Sequence, residues 1–146
     1  MPRSARVGLL WLLQLLFVGR VLGQVYVGIY APAWLPPWPE WYSGLLPYPW
    51  LLLSQILIIM LMTATSYDFT RGAGALLVES ARARRLLRYV SALYAGAMLV
   101  RYAVTMVVAP EMRWLHGAIP IAFHLVLAAY IALLTVPAGT SPARTA

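Results

Sequence analysis

Residues 7–30 read VGLLWLLQLLFVGRVLGQVYVGIY, an apolar run with a single charge, Arg20, inside it. A bilayer's hydrocarbon core is about 30 Å thick and a helix rises about 1.5 Å per residue, so a span needs about 20 mostly apolar residues. This stretch meets that requirement. It also resembles a signal peptide, because Arg3 and Arg6 precede it and Val21-Leu22-Gly23 imitates a cleavage site. Arg20 interrupts the apolar stretch just before that site, however, and apolar sequence continues to Tyr30. The reading is a retained anchor.

Three further windows have the same character: Trp50–Tyr67, Tyr89–Ala109 and Leu115–Val136. Over the 146 residues, 62% are hydrophobic and 10% charged. A soluble domain carries roughly 25% charged residues, so lipid must cover much of this surface. The expected fold is an all-α integral membrane protein, a four-transmembrane-helix bundle in one membrane domain (residues 1–137). Its spans are 7–30, 50–67, 89–109 and 115–136. A Pro/Trp-rich outer loop occupies 31–49, and a cytoplasmic connection with a short amphipathic helix occupies 68–88. Residues 138–146 are small and polar and read as a disordered tail.

Orientation follows from arginine placement, since the chain contains no lysine. Arg3 and Arg6, then Arg71, Arg82, Arg84, Arg85 and Arg88, then Arg144, fall on one side of the expected membrane. Only Arg113 falls on the other, and Arg20 and Arg101 lie within spans. The positive-inside rule puts both termini in the cytoplasm. Arginine without lysine fits a GC-rich bacterial genome, hence the inner (plasma) membrane. The net charge of +7 sits beside apolar runs, which suits anionic lipids of the inner leaflet and gives nucleic acid no soluble surface. The absence of cysteine excludes disulfides, thiolate metal sites and a cysteine nucleophile.

Between the second and third spans, residues 75–88 place Leu76, Ser80, Ala83 and Leu87 on one helical face and Arg82, Arg85 and Arg88 on the other. Glu79 and Arg82 form a favourable pair three residues apart. Gly72 and Gly74 allow a bend before them. This segment either lies on the inner leaflet or runs straight into the third span. The prolines of the 31–49 loop forbid a regular helix through most of it. Residues 111–114 make a tight outer turn, so the third and fourth spans are antiparallel neighbours. Ala92-x3-Gly96 allows close helix approach.

Three polar side chains fall at similar depth. Arg20 is about 20 Å along the first span from Val7, and Arg101 about 18 Å along the third from Tyr89. His124 lies about 13–14 Å from the outer end of the fourth. An arginine in hydrocarbon needs a partner. All four acids, Glu40, Asp68, Glu79 and Glu111, lie outside the spans or at their ends. The available acceptors are neutral: Gln14, Gln24, Gln55, tyrosines and backbone carbonyls. Either the arginines snorkel toward an interface, or Arg20, Arg101 and His124 line one ligand- or partner-binding site. Pro120, four residues before His124, frees the His116 carbonyl and favours an inward-facing His124. His116 and His124 are separated by about 12 Å and 80° along one helix, so they cannot hold one haem iron. No cofactor is expected.

Trp34, Trp38, Trp41, Tyr42 and Trp50 form either an interfacial aromatic belt or a lid over a cavity. Hydrolase, metalloprotease, phosphate-loop and dinucleotide motifs are absent. Three functions follow. The first is a non-catalytic accessory subunit or scaffold, joined to a partner membrane subunit or its own copies. The second is a binder or carrier of an amphipathic anion, lipid or quinone. The third is an intramembrane enzyme on a lipid-linked substrate, with His124 as base.

Overall fold

The computed structural model describes residues 1–42, 46–72, 80–108 and 118–136. All five elements among them are helices: α1 Arg3–Tyr30, α2 Trp38–Trp41, α3 Tyr48–Arg71, α4 Ala81–Val108 and α5 Ala118–Leu134. Three of these, α1, α3 and α4, are long and apolar enough to cross a membrane, and α5 is a shorter apolar helix of 17 residues. The expected turn at 111–114, His116, residues 75–79 of the amphipathic segment and the 138–146 tail lie outside the described residues.

The helices outrun the apolar windows at one end. There α1 starts at Arg3, before Val7; α3 runs on to Arg71; α4 starts at Ala81 instead of Tyr89. Arginine is a good helix former, so charge ends the apolar pattern without ending the helix. From Ser80 onward there is no separate amphipathic helix, and residues 81–88 are the first two turns of α4. Ser80 starts it as an N-cap, its Oγ accepting the Ala83 amide at 3.0 Å. At the other end α1 stops at Ala31, which adopts a left-handed φ of 42° just before Pro32. Proline cannot continue the helix's hydrogen bonding and disfavours the α conformation in the residue before it. In the outer loop α2 is a single turn, with proline near its start.

Helix α1 packs against α3 and α5, α5 packs against α4, and α2 covers α1 and α5. The core gathers Leu10, Phe17 and Val21 of α1, Met62 of α3, and Tyr130 and Leu134 of α5. Polar side chains tie neighbours together. Gln14 Nε2 donates to Thr63 Oγ1 at 2.7 Å. Tyr130 donates to the Met62 carbonyl at 2.8 Å and lies 2.8 Å from Ser66 Oγ, linking α5 to α3. Ser91, the one buried residue of α4, donates to the Ala128 carbonyl at 2.8 Å. The pairings Arg88–Thr135, Ser91–Ala128 and Tyr94–His124 run in opposite sequence order, so α4 and α5 are antiparallel. Their seam is lined by Ala92 and Ala95 against Ala128, Ala129 and Ala132. Gly96 takes no part, because a Cβ there would meet nothing within 4 Å.

Arginines close the end of the bundle where α1 and α4 begin and α3 and α5 finish. Arg6 is 8% exposed; its Nε donates to the Leu133 carbonyl at 3.1 Å and Nη2 to the Leu134 carbonyl at 2.5 Å. Its guanidinium also lies 4.2 Å from the centre of the Phe69 ring. Arg88 donates to the Thr135 carbonyl at 3.3 Å, and Arg3 to the Thr70 carbonyl at 3.0 Å. The last carbonyls of a helix have no partner within it and carry partial negative charge. Cations from α1 and α4 therefore cap α3 and α5. Gly72 ends α3 with φ +82°, and a Cβ there would stand 2.5 Å from Arg3 Nη2. Only glycine suits both the backbone conformation and that approach.

Candidate functional site

Arg20 projects from α1 into the interior and is 8% exposed. Its Nη1 donates to Gln24 Oε1, one turn along the same helix, at 2.6 Å. Its Nη2 donates to the Trp41 carbonyl in α2 at 2.8 Å. Both partners are neutral, and the buried Nε has no hydrogen-bond partner. Gln55 of α3 donates from Nε2 to the same Gln24 oxygen at 3.2 Å, while its own Oε1 is buried and unpartnered. The direction of this chain follows from Arg20. A guanidinium only donates, so Gln24 must turn its oxygen toward it, and Gln55 must then turn its nitrogen toward that oxygen.

A cavity of about 150 Å³ opens beside this network. Arg20, Ser54, Gln55, Tyr94 and His124 supply its polar lining, and Phe17, Leu51, Ile58, Pro120, Phe123 and Leu127 its apolar walls. Four helices contribute. Tyr94 Oη lies 2.9 Å from His124 Nδ1. With the phenol donating, the imidazole carries its proton on Nε2 and offers a donor at its other edge. Pro120 of α5 is buried and lines the cavity four residues before His124.

The structure brings Arg20 and His124 to one cavity and leaves Arg101 outside its lining. Arg101 is partly buried on α4, seven residues beyond Tyr94 and hence on nearly the same face. Its positive field and that of Arg20 both reach His124. Tyr94 is the member that reading by charge alone passes over, whereas Gln24 was among the neutral acceptors expected for Arg20. The seven-residue spacing of Tyr94 and Arg101 was the available signal for the tyrosine.

The aromatic loop divides. Trp41 is buried, with Nε1 donating to the Pro36 carbonyl at 2.9 Å. Its ring seats on Gly23 of α1, where a Cβ would fall 2.9 Å from two ring carbons. Trp38 seats likewise on Gly28, at 2.7 Å from such a Cβ. It also joins Tyr42 and Tyr48 in an aromatic cluster, with centroids 5.8 and 4.8 Å away. Trp34 and Trp50 point outward, 74% and 65% exposed. The loop thus folds onto α1, and its backbone supplies one of the two partners of Arg20. Among the described residues no cluster of metal-ligating side chains occurs. No family model, curated protein or solved structure matches this chain.

Proposed function

We propose that this chain is a small multi-pass membrane protein that binds an acidic amphiphile, its head in the cavity beside Arg20 and its tail among the apolar side chains. The observation that carries this reading is Arg20 itself. It is a buried cation on a cavity wall, held by neutral groups only and with its Nε unpartnered. An uncompensated charge in hydrocarbon costs several kcal/mol, about 2.5–3.5 on insertion scales. An anionic head group offsets that cost. The Nε2 edge of His124 and the field of Arg101 add to the attraction. Purification in mild detergent with extraction of bound lipid tests the reading. Wild-type protein should retain an acidic lipid in stoichiometric amount. Arg20→Gln should lose it while still inserting, and equal retention by the two proteins would refute the proposal.

A second reading, an accessory subunit or scaffold, draws on α4. Leu86, Val90, Leu93, Val100, Val104 and Val107 form an exposed stripe on this helix, at steps of four, three, seven, four and three residues. A partner helix or lipid would cover it. A stoichiometric co-purifying membrane protein, lost on placing bulky polar residues at Leu93 and Val100, would favour this reading.

A further inference from the structure

We infer that the ligand's head group is a phosphomonoester carried on a lipid, read by Arg20 and Gln55 together. This rests on the binding reading proposed above and deepens it. The two residues line one cavity, each has an unsatisfied buried atom, and the atoms are of opposite kind. Arg20 Nε requires an acceptor, while Gln55 Oε1 requires a donor. The amide orientation of Gln55 is not free to reverse, because Arg20 fixes Gln24 and Gln24 fixes Gln55. The terminal torsion of glutamine is soft, so Oε1 can turn to meet a head group without disturbing α3.

Three demands must be met at once: negative charge, an acceptor and a donor. A carboxylate or a phosphodiester supplies charge and acceptors, but its acid group has no donor. A neutral alcohol supplies donor and acceptor and no charge. A phosphomonoester with one proton on its phosphate supplies all three, its unprotonated oxygens facing Arg20 and its P–O–H facing Gln55. Its second pKa lies near 6, so this form is abundant in mildly acidic to neutral conditions. The tail is called for by the surroundings, since Phe17, Leu51, Ile58, Phe123 and Leu127 offer a soluble phosphate ester nothing to bond.

The test compares matched ligands on the full-length protein in mild detergent at pH 5.5, by native mass spectrometry. Dioctanoyl phosphatidic acid and dioctanoyl phosphatidylmethanol then have the same chains and nearly the same charge. Only the first has a P–O–H. The expected result is at least a ~10-fold preference for phosphatidic acid, the low end for a hydrogen bond with a charged partner. Gln55→Leu should bring the two within about threefold while both still bind, and inorganic phosphate should not bind measurably. Equal wild-type affinity for the two lipids overturns the phosphomonoester assignment and leaves the acidic-amphiphile reading standing. Preference persisting in Gln55→Leu overturns the role of Gln55. Inorganic phosphate binding as tightly as phosphatidic acid overturns the lipid assignment. Binding of neither lipid overturns the underlying reading, with the cavity holding water alone. The wild-type comparison is decisive even if Gln55→Leu fails to fold.

Discussion

Replacing Arg6 should destabilise the bundle more than any exposed arginine does. In Arg6→Met the side chain keeps an unbranched apolar stem but ends two atoms short of the terminal guanidinium nitrogens. It loses both bonds to the α5 carbonyls, at 3.1 and 2.5 Å, and the contact with Phe69 at 4.2 Å. Hydrogen bonds involving a charged partner contribute about 1.5–3 kcal/mol each, and a partly desolvated cation over an aromatic ring about 1–2 kcal/mol. Methionine recovers part of this through its freer rotamers, so a loss of about 3–5 kcal/mol is expected. Arg6→Lys keeps the charge but not the planar fork, and should lose roughly half as much. Equilibrium unfolding in mixed detergent and SDS, followed by circular dichroism, measures both. The reasoning fails if Arg6→Met lies within about 0.5 kcal/mol of wild type, the range of ordinary surface substitutions. The Leu133 and Leu134 carbonyls would then be satisfied equally well by water or lipid head groups.

Gly72→Ala should destabilise by at least about 1 kcal/mol in the same assay, since it strains a left-handed backbone and pushes on Arg3. Tyr130→Phe, which removes the donor to the Met62 carbonyl and the partner of Ser66, should cost about 1–3 kcal/mol. A result within error of wild type would mean that this α3–α5 link is replaceable. Gly23→Leu should dislodge Trp41 from α1 and loosen its carbonyl from Arg20, raising solvent quenching of Trp41 in a variant retaining only that tryptophan. Unchanged quenching would refute the seating. Reporter fusions within the 31–47 loop and at Ala81 should report opposite sides of the membrane, and same-side readings would defeat the proposed topology.

The helices were legible because a long apolar run leaves a backbone in hydrocarbon no alternative to bonding within itself. Their ends were not. Arg82, Arg84 and Arg85 break the apolar pattern yet remain in α4, so hydropathy gave Tyr89 where the backbone gives Ala81. In the site, the absence of an internal acid pointed to neutral acceptors; Gln24 accepts from Arg20, while Gln55 donates to Gln24 and Gln14 to Thr63. The Trp41 carbonyl could not be foreseen, because a backbone acceptor carries no residue signature. Arg3 and Arg6 were read only as a tally of charge on one side. Their role as caps depends on carbonyls more than 60 and 120 positions away. Gly23 was read only as part of an imitated cleavage site and Gly28 not at all, although each seats an indole ring.

The cap that Arg6 makes on α5 has a consequence in time. The chain emerges from the ribosome in order, so Arg6 is made 127 residues before the Leu133 carbonyl that receives it. Until α5 is in place, this buried guanidinium has neither of its two acceptors, and α1 is held at that end only to α3, by Arg3 and by the Arg6–Phe69 contact. Completion of α5 supplies them together, and with them the carbonyl that Arg88 holds. The beginning of α1 is thus a clasp that closes only when the end of α5 arrives. A chain cut short before Leu133 keeps the bonds that join α1 to α3 and still lacks those that fasten α5 to them at this end.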